Sequence, residues 1–137
     1  MNKWNNCGVL DTMIFDTDIL IWVERGHKKA ADLLDKTTDK QISIQTFMEL
    51  LQGARNKTEQ KEIRNFIKQF GFNILPFTEN IGHRAAIYIE EYALATGMRA
   101  GDAIIAATAM ENDLELATSN RKHYSSITHL KTHFFKP

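Results

Sequence analysis

Short apolar segments alternate with amphipathic helical segments along most of this chain, and this alternation is the feature that most restricts its fold. Met13-Ile14-Phe15 is an apolar run ending at Asp16, a pattern typical of a buried strand. Further strands are predicted at 41–44, 73–77 and 114–118, with a weaker one at 130–135. Helices are predicted at 19–23, 28–35, 47–54, 58–70, 78–96 and 103–112. Alternating strands and helices build a mostly parallel sheet, so we expect an α/β fold, a three-layer α/β/α sandwich.

The length of 137 residues fits one domain, which we assign to residues 13–137, with the polar and unpatterned residues 1–12 as an N-terminal extension. The chain is 43% hydrophobic and 25% charged, which excludes disorder. Its formal net charge is zero, so no overall cationic field indicates a nucleic-acid partner. The single cysteine, Cys7, excludes a cysteine zinc site and favours a cytoplasmic location. No apolar run is long enough for a membrane span.

Three carboxylates stand at positions where the parallel-sheet prediction gives them a shared location. Asp16 follows the first strand, Glu49 lies on the helix after the second strand, and Asp102 precedes the nearly apolar helix that starts at Ala103. Ligands of a parallel sheet bind beyond the carboxyl ends of its strands, so these acids are expected to meet there. Each also has an ordinary structural interpretation: Asp16 with Asp18, or Asp102, as a helix cap, and Glu49 as a solvated helix residue.

Clustered carboxylates repel one another, and a hard divalent cation such as Mg²⁺ removes that repulsion. Such an ion also activates water for cleavage of a phosphodiester, and no protein nucleophile is then required. This agrees with the lack of a convincing Ser-His-Asp or Cys-His set in the sequence. A metal-dependent phosphodiesterase is therefore one interpretation of the three acids.

Four segments in order resemble the motifs of the PIN-domain nucleases, and within them the VapC-like toxins of toxin–antitoxin systems. The segments are 13–21 (MIFDTDILI), 43–53 with Ser43, Thr46, Glu49, Leu50 and Gly53, 101–109 (GDAIIAATA), and 116–120 (LATSN) followed by His123-Tyr124. The resemblance runs from Met13 nearly to the end of the chain. It implies a PIN-like fold and cleavage of RNA dependent on Mg²⁺ or Mn²⁺. It also implies a homodimer and a small antitoxin that covers the site.

The resemblance also implies roles for individual residues. Asp16, Glu49 and Asp102 become the metal-site acids, and the supporting residues become Thr17, Asp18, Ser43, Thr46 and Thr118. The family often has a fourth acid at the position of Asn120 or of His123. Asn120 offers a carbonyl oxygen there but carries no charge, so the first metal position is expected and the second is in question.

Basic residues near the predicted site are candidates for binding RNA phosphates: Arg99, Arg121, Lys122 and His123. The ordinary interpretation of the first three is a solvated face, and that of His123 is a plain surface histidine.

Two other functions remain open at this point. Asp16-Thr17-Asp18 after a strand also suits a phosphatase of the haloacid dehalogenase type, with Asp16 as the nucleophile. The uncharged Asn120 suits a catalytically weak PIN-like binding or regulatory module.

Overall fold

The computed structural model describes residues 10–137 and contains five strands and seven helices there. The strands are β1 (Leu10–Phe15), β2 (Thr37–Ser43), β3 (Asn73–Leu75), β4 (Glu115–Thr118) and β5 (Thr132–Phe134). The helices are α1 (Thr17–Glu24), α2 (Lys28–Lys36), α3 (Ile44–Gln52), α4 (Lys57–Gln69), α5 (Glu79–Thr96), α6 (Ala100–Glu111) and α7 (Arg121–Tyr124). Among these residues no helix combines the length and apolar character needed to cross a bilayer.

The strands form one sheet in the order β3-β2-β1-β4-β5, and every pairing in it is parallel. β1 is central and pairs with β2 on one side and with β4 on the other. The direction of winding therefore reverses between β1 and β4. In open parallel sheets, ligands bind at such a reversal, outside the carboxyl ends of the two strands.

Alternate residues of the sheet face two separate cores. Met13 and Phe15 of β1 pack with α1, α2, α3 and α4, whereas Ile14 packs with α5, α6 and α7. All three side chains are almost fully buried. Since both faces are covered, a continuous apolar run was the correct signal for β1. The predicted three-layer α/β/α sandwich is confirmed.

Some boundaries differ from the prediction. β1 begins at Leu10, so it includes three residues that we assigned to the N-terminal extension; residues 1–9 of that extension lie outside the described part of the chain. β2 begins at Thr37, because its polar first half pairs with β1 through the backbone. β2 also ends one residue early, because the Ser43 hydroxyl accepts a bond from Thr46 N at 2.9 Å and caps α3. The short helix α7 was not predicted.

Candidate metal centre

The candidate site begins where β1 and β4 end side by side. Phe15 is paired with Ala117, and Asp16 N donates to the carbonyl oxygen of Ala117 at 2.9 Å. Asp16 therefore leaves the sheet next to Thr118, the last residue of β4. Both side chains are buried, with 5% of Asp16 and none of Thr118 exposed. A carboxylate and a hydroxyl are thus held together at the point where the winding of the sheet reverses.

Both oxygens of Asp16 have hydrogen-bond donors. Oδ1 accepts from Thr17 N at 2.8 Å, which makes Asp16 the N-cap of α1, and Oδ2 accepts from the Thr118 hydroxyl at 2.7 Å. These two bonds lower the pKa of Asp16, but burial and then the charge of Asp18 outweigh them, with a smaller contribution from Asp102. The pKa of Asp16 is raised to about 8. The interpretation of Asp16 as a helix cap is correct. The same carboxyl group also lies close to other negatively charged side chains.

A chain of hydroxyl groups joins this region to Glu49. The Thr17 hydroxyl lies 2.5 Å from Glu49 Oε1 and 3.1 Å from the Thr46 hydroxyl, which lies 3.2 Å from that of Ser43. A carboxylate only accepts and Thr17 has one hydroxyl proton, so Thr17 donates to Glu49. The Thr46 hydroxyl then donates to Thr17, and that of Ser43 donates to Thr46. The predicted supporting residues Thr17, Ser43 and Thr46 therefore act together to orient Glu49.

The other oxygen of Glu49 lies against α6. Oε2 accepts from the Gln45 amide at 3.1 Å, one helical turn back on α3. A Cβ atom on Gly101 would lie 2.8 Å from Oε2 and 3.1 Å from Gln45 Nε2, which is too close. Gly101 therefore leaves the room that Glu49 occupies beside Asp102. We did not single out Gln45 from the sequence, although its spacing of four residues from Glu49 was available as a signal.

Asp102 lies in the first turn of α6 and bonds to three other groups. Helix α6 begins at Ala100, three residues earlier than predicted, so Asp102 is its third residue and not the N-cap that we expected. The Oδ2 atom of Asp102 accepts from Arg99 N at 3.0 Å in a capping box, and the same atom lies 3.0 Å from His123 Nδ1. The Tyr124 hydroxyl donates to Oδ1 at 3.4 Å. Burial raises the pKa of Tyr124 well above its usual value, and the charges of Asp16 and Asp102 add to this. The buried, protonated Tyr124 is a donor that the sequence did not suggest.

Residues 118–123, which follow β4, border the site next to Asp102. The side-chain oxygen Oδ1 of Asn120 caps α7 by accepting from His123 N at 3.3 Å. The side-chain nitrogen Nδ2 of Asn120 lies 2.7 Å from His123 Nδ1. A protonated Nδ1 donates to Asp102, whereas an unprotonated one accepts from the Asn120 amide. The interpretation of His123 as a plain surface histidine is therefore wrong.

Asp18 contacts the same segment from α1. Its Oδ2 accepts from Ser119 N at 3.1 Å and from the Ser119 hydroxyl. Its Oδ1 is shielded from solvent and has no hydrogen-bond partner among residues 10–137. We did not identify Ser119 from the sequence, because 101 residues separate it from Asp18.

The predicted RNA-contact residues Arg99, Arg121 and Lys122 are exposed. The guanidinium of Arg121 lies over the ring of Phe134, 4.2 Å from its centroid, a cation–π contact that fixes its direction. Arg99 is the N-cap residue of α6 and donates its backbone N–H to Asp102.

The atoms at this site that could bind a metal ion are carboxylate and hydroxyl oxygens, and a hard cation prefers oxygen ligands. Within residues 10–137, no three Asp, Glu, His or Cys side chains form a ready-made metal shell. The acids bond to hydroxyl and N–H groups of the protein instead. Burial is the main cause of the high pKa of Asp16, and the charges of Asp18 and Asp102 add to it. Together with the unpartnered Oδ1 of Asp18, these two contributions mark a local excess of negative charge.

Comparison with known proteins gives consistent matches. A family model described as PIN domain matches residues 13–127. Ribonuclease VapC10 of Mycobacterium tuberculosis is 34% identical over 129 residues, which cover 91% of this chain and 95% of that protein. A toxin–antitoxin complex from Klebsiella pneumoniae contains a similar chain, with a TM-score of 0.75 and 31% identity over 90% of this chain and 99% of that one. VapBC2 from Rickettsia felis, bound to a DNA fragment from its promoter, has a TM-score of 0.73 at 18% identity, covering 91% and 99% of the two chains, and shows likeness of fold alone.

Proposed function

This chain belongs to the PIN domain family, and from that premise we propose that it is an endoribonuclease dependent on Mg²⁺ or Mn²⁺, the toxin of a toxin–antitoxin pair. The observation that carries the proposal is the arrangement of Asp16, Glu49 and Asp102. Thr17 bonds to both Asp16 and Glu49, and Glu49 lies against Gly101, the residue before Asp102. The charge of Asp102 in turn raises the pKa of Asp16. Acids that are remote in sequence are thus linked through common neighbours at one edge of the sheet, which supports their binding of a shared divalent ion.

In this proposal Asp16, Glu49 and Asp102 hold the ion, and the remaining residues keep those acids in position. When bound, the divalent ion supplies Lewis-acid activation of water and of the phosphodiester oxygens. Thr118 and Thr17 N fix the two oxygens of Asp16. Gln45 and Thr17 fix the two oxygens of Glu49, and Tyr124 with Arg99 N does the same for Asp102. Asn120 adds an uncharged amide at the rim.

Surfaces beside the site support the proposed partners. Arg99, Arg121 and Lys122 are exposed near it and are suited to RNA phosphates. A cleft of about 640 Å³ adjoins Glu49. Its lining combines apolar side chains with charged side chains of both signs, which suits a segment of a small antitoxin. The apolar ones are Ile21, Leu50, Ile63 and Phe66, and the charged ones besides Glu49 are Glu24, Glu59, Glu62, Arg25 and Arg55.

Two further parts of the proposal concern assembly and location. Ile87 and Leu94 are exposed on one face of α5 and support pairing of two copies in a homodimer. The cytoplasm, where RNA and a reduced Cys7 are found together, is the proposed location.

The two other functions considered above are less well supported. The match of residues 13–127 to the PIN domain model favours the nuclease over a phosphatase of the haloacid dehalogenase type. A binding module without catalysis gives no reason for the room that Gly101 leaves to Glu49.

The test is cleavage of single-stranded RNA by the purified full-length chain with Mg²⁺, with Mn²⁺ and with chelator. We expect cleavage with either ion, none with chelator, and a loss of at least 100-fold in Asp102→Asn. Asp113→Asn is the matched control, because Asp113 is exposed just beyond the C-terminal end of α6, away from Asp102 in its first turn. Thermal unfolding of both variants checks that they are folded, since Asp102 also caps a helix. Undiminished cleavage by a folded Asp102→Asn contradicts the proposal.

A further inference from the structure

The starting observation is the unequal state of the two carboxylate oxygens of Asp18. Oδ2 is bonded to the backbone N–H and the hydroxyl of Ser119. Oδ1 is shielded from solvent, and nothing among residues 10–137 donates a hydrogen bond to it. A buried carboxylate oxygen without a partner lowers the stability of the folded protein unless a cation or a hydrogen-bond donor reaches it. Ser119 holds the Asp18 side chain in place, so the carboxylate cannot rotate to bring Oδ1 to a partner.

The surroundings of Asp18 increase that instability. The charge of Asp18 is the second-largest cause of the high pKa of Asp16, and it contributes to that of Tyr124. None of the ion pairs formed within residues 10–137 includes Asp16 or Asp18. The two carboxylates therefore repel each other without a basic side chain to offset them.

The position of Asp18 bears directly on the missing fourth acid. Ser119, to which Asp18 is bonded, is the residue immediately before Asn120. Asn120 brings an uncharged amide to the site and uses its carbonyl oxygen to cap α7. The negative charge that segment 118–123 lacks is thus present next to it, on the first turn of α1.

We propose that Asp18 is a metal ligand in this chain and supplies through Oδ1 the carboxylate that Asn120 does not provide. This inference rests on the proposed function, because it takes a divalent cation to occupy the site formed with Asp16 and Asp102. It replaces the purely supporting role that the sequence suggested for Asp18. The competing explanation is an ordered water that donates to Oδ1, in which case Asp18 only holds the segment that contains Ser119.

The experiment is calorimetric titration of Mn²⁺ into the full-length protein without RNA, for wild type, Asp18→Asn, Asp102→Asn and Asp113→Asn. Asparagine keeps the shape of Asp18 and an acceptor for Ser119 but removes the charge. We expect Asp18→Asn to weaken Mn²⁺ binding at least tenfold, and Asp113→Asn to leave it unchanged. Asp113 has a positive φ of 52°, which asparagine adopts readily.

Thermal unfolding separates a ligand from a structural residue. In chelator we expect Asp18→Asn to melt at or above the temperature of wild type, because an unpartnered charge beside Asp16 has been removed. With saturating Mn²⁺ we expect the melting temperature of Asp18→Asn to rise by less than that of wild type. A lower melting temperature in chelator, or Mn²⁺ affinity within twofold of wild type, overturns the inference.

These results also distinguish this inference from the proposed function. If Asp102→Asn loses Mn²⁺ binding and Asp18→Asn keeps it, only the role of Asp18 is wrong. If wild type binds no Mn²⁺, or if Asp102→Asn binds it normally, the metal site itself is wrong, and both proposals fail.

Discussion

The buried carboxyl of Asp16 predicts an unusual pH dependence of stability for the metal-free protein. Its pKa is raised from an ordinary value of 3.8 to about 8, mainly by burial and by the charge of Asp18. The folded state therefore binds this proton more tightly than the unfolded state does. Between about pH 4 and pH 8 the unfolded chain releases the proton first, so this group makes folding less favourable as the pH rises. Below about pH 4 both states are protonated, and the effect vanishes.

The size of the effect follows from the shift. Each pKa unit corresponds to about 1.4 kcal/mol, so a rise from 3.8 to about 8 sets an upper limit of about 6 kcal/mol. Relaxation and water entry around a buried charge reduce such penalties in real proteins, so we expect about 2–3 kcal/mol at pH 8. Asp16→Asn removes the titrating group and keeps most of its shape. In chelator it is expected to be more stable than wild type at pH 8 by that amount and about equal to it at pH 4.

The assay is urea unfolding of wild type and Asp16→Asn, in chelator, at intervals from pH 4 to pH 8. The difference between the two proteins isolates Asp16 from carboxyls that titrate in the opposite sense, such as Glu59, whose pKa is lowered by Arg55. Added Mn²⁺ is expected to stabilise wild type at pH 8 but not Asp16→Asn. A difference that stays constant with pH, or that favours wild type more strongly as the pH rises, refutes the reasoning.

Two further substitutions test the supports of the site. Gly101→Ala places a methyl group 2.8 Å from Glu49 Oε2; because the end of a flexible side chain is what must move, we expect stability within about 1 kcal/mol of wild type but at least tenfold weaker Mn²⁺ binding. Unchanged Mn²⁺ affinity by calorimetry would show that the position of Glu49 does not matter. Thr118→Val removes the donor to Asp16 and the acceptor for Asn120 N, so a loss of about 1–3 kcal/mol in urea unfolding is expected at pH 8. A variant as stable as wild type contradicts the importance of this buried hydroxyl.

The sequence predicted the parts of the fold that depend on local apolar patterns. The run Met13-Ile14-Phe15 identified β1, and the spacing of apolar residues up to Gly97 identified α5, which Thr78 caps and Gly97 ends with a φ of 76°. The first half of β2 was missed because Thr38, Asp39 and Lys40 are not apolar. These residues belong to the sheet because their backbone pairs with β1, and the pattern of side chains does not reveal such pairing.

The candidate site shows the same division. Asp16, Glu49 and Asp102 were singled out because each follows, interrupts or precedes an apolar segment of a predicted element. Pairs formed across the fold were not predictable, since one sequence does not reveal which polar residues of β4 and α1 meet. The bond between Asp18 and Ser119 is the clearest example. Tyr124 was missed for a related reason: its helix, α7, has only four residues and no apolar period of its own.

The bond between Asp16 and Thr118 spans 102 residues of sequence and crosses from the central strand to its last-formed neighbour. Strand β1 is made well before its partner β4 and the residues that follow β4 in the site. Any product truncated before residue 118 therefore lacks one wall of the pocket, however well its first strands and helices form. The acids that follow the first two strands therefore wait for the segment after β4 before the site can be assembled.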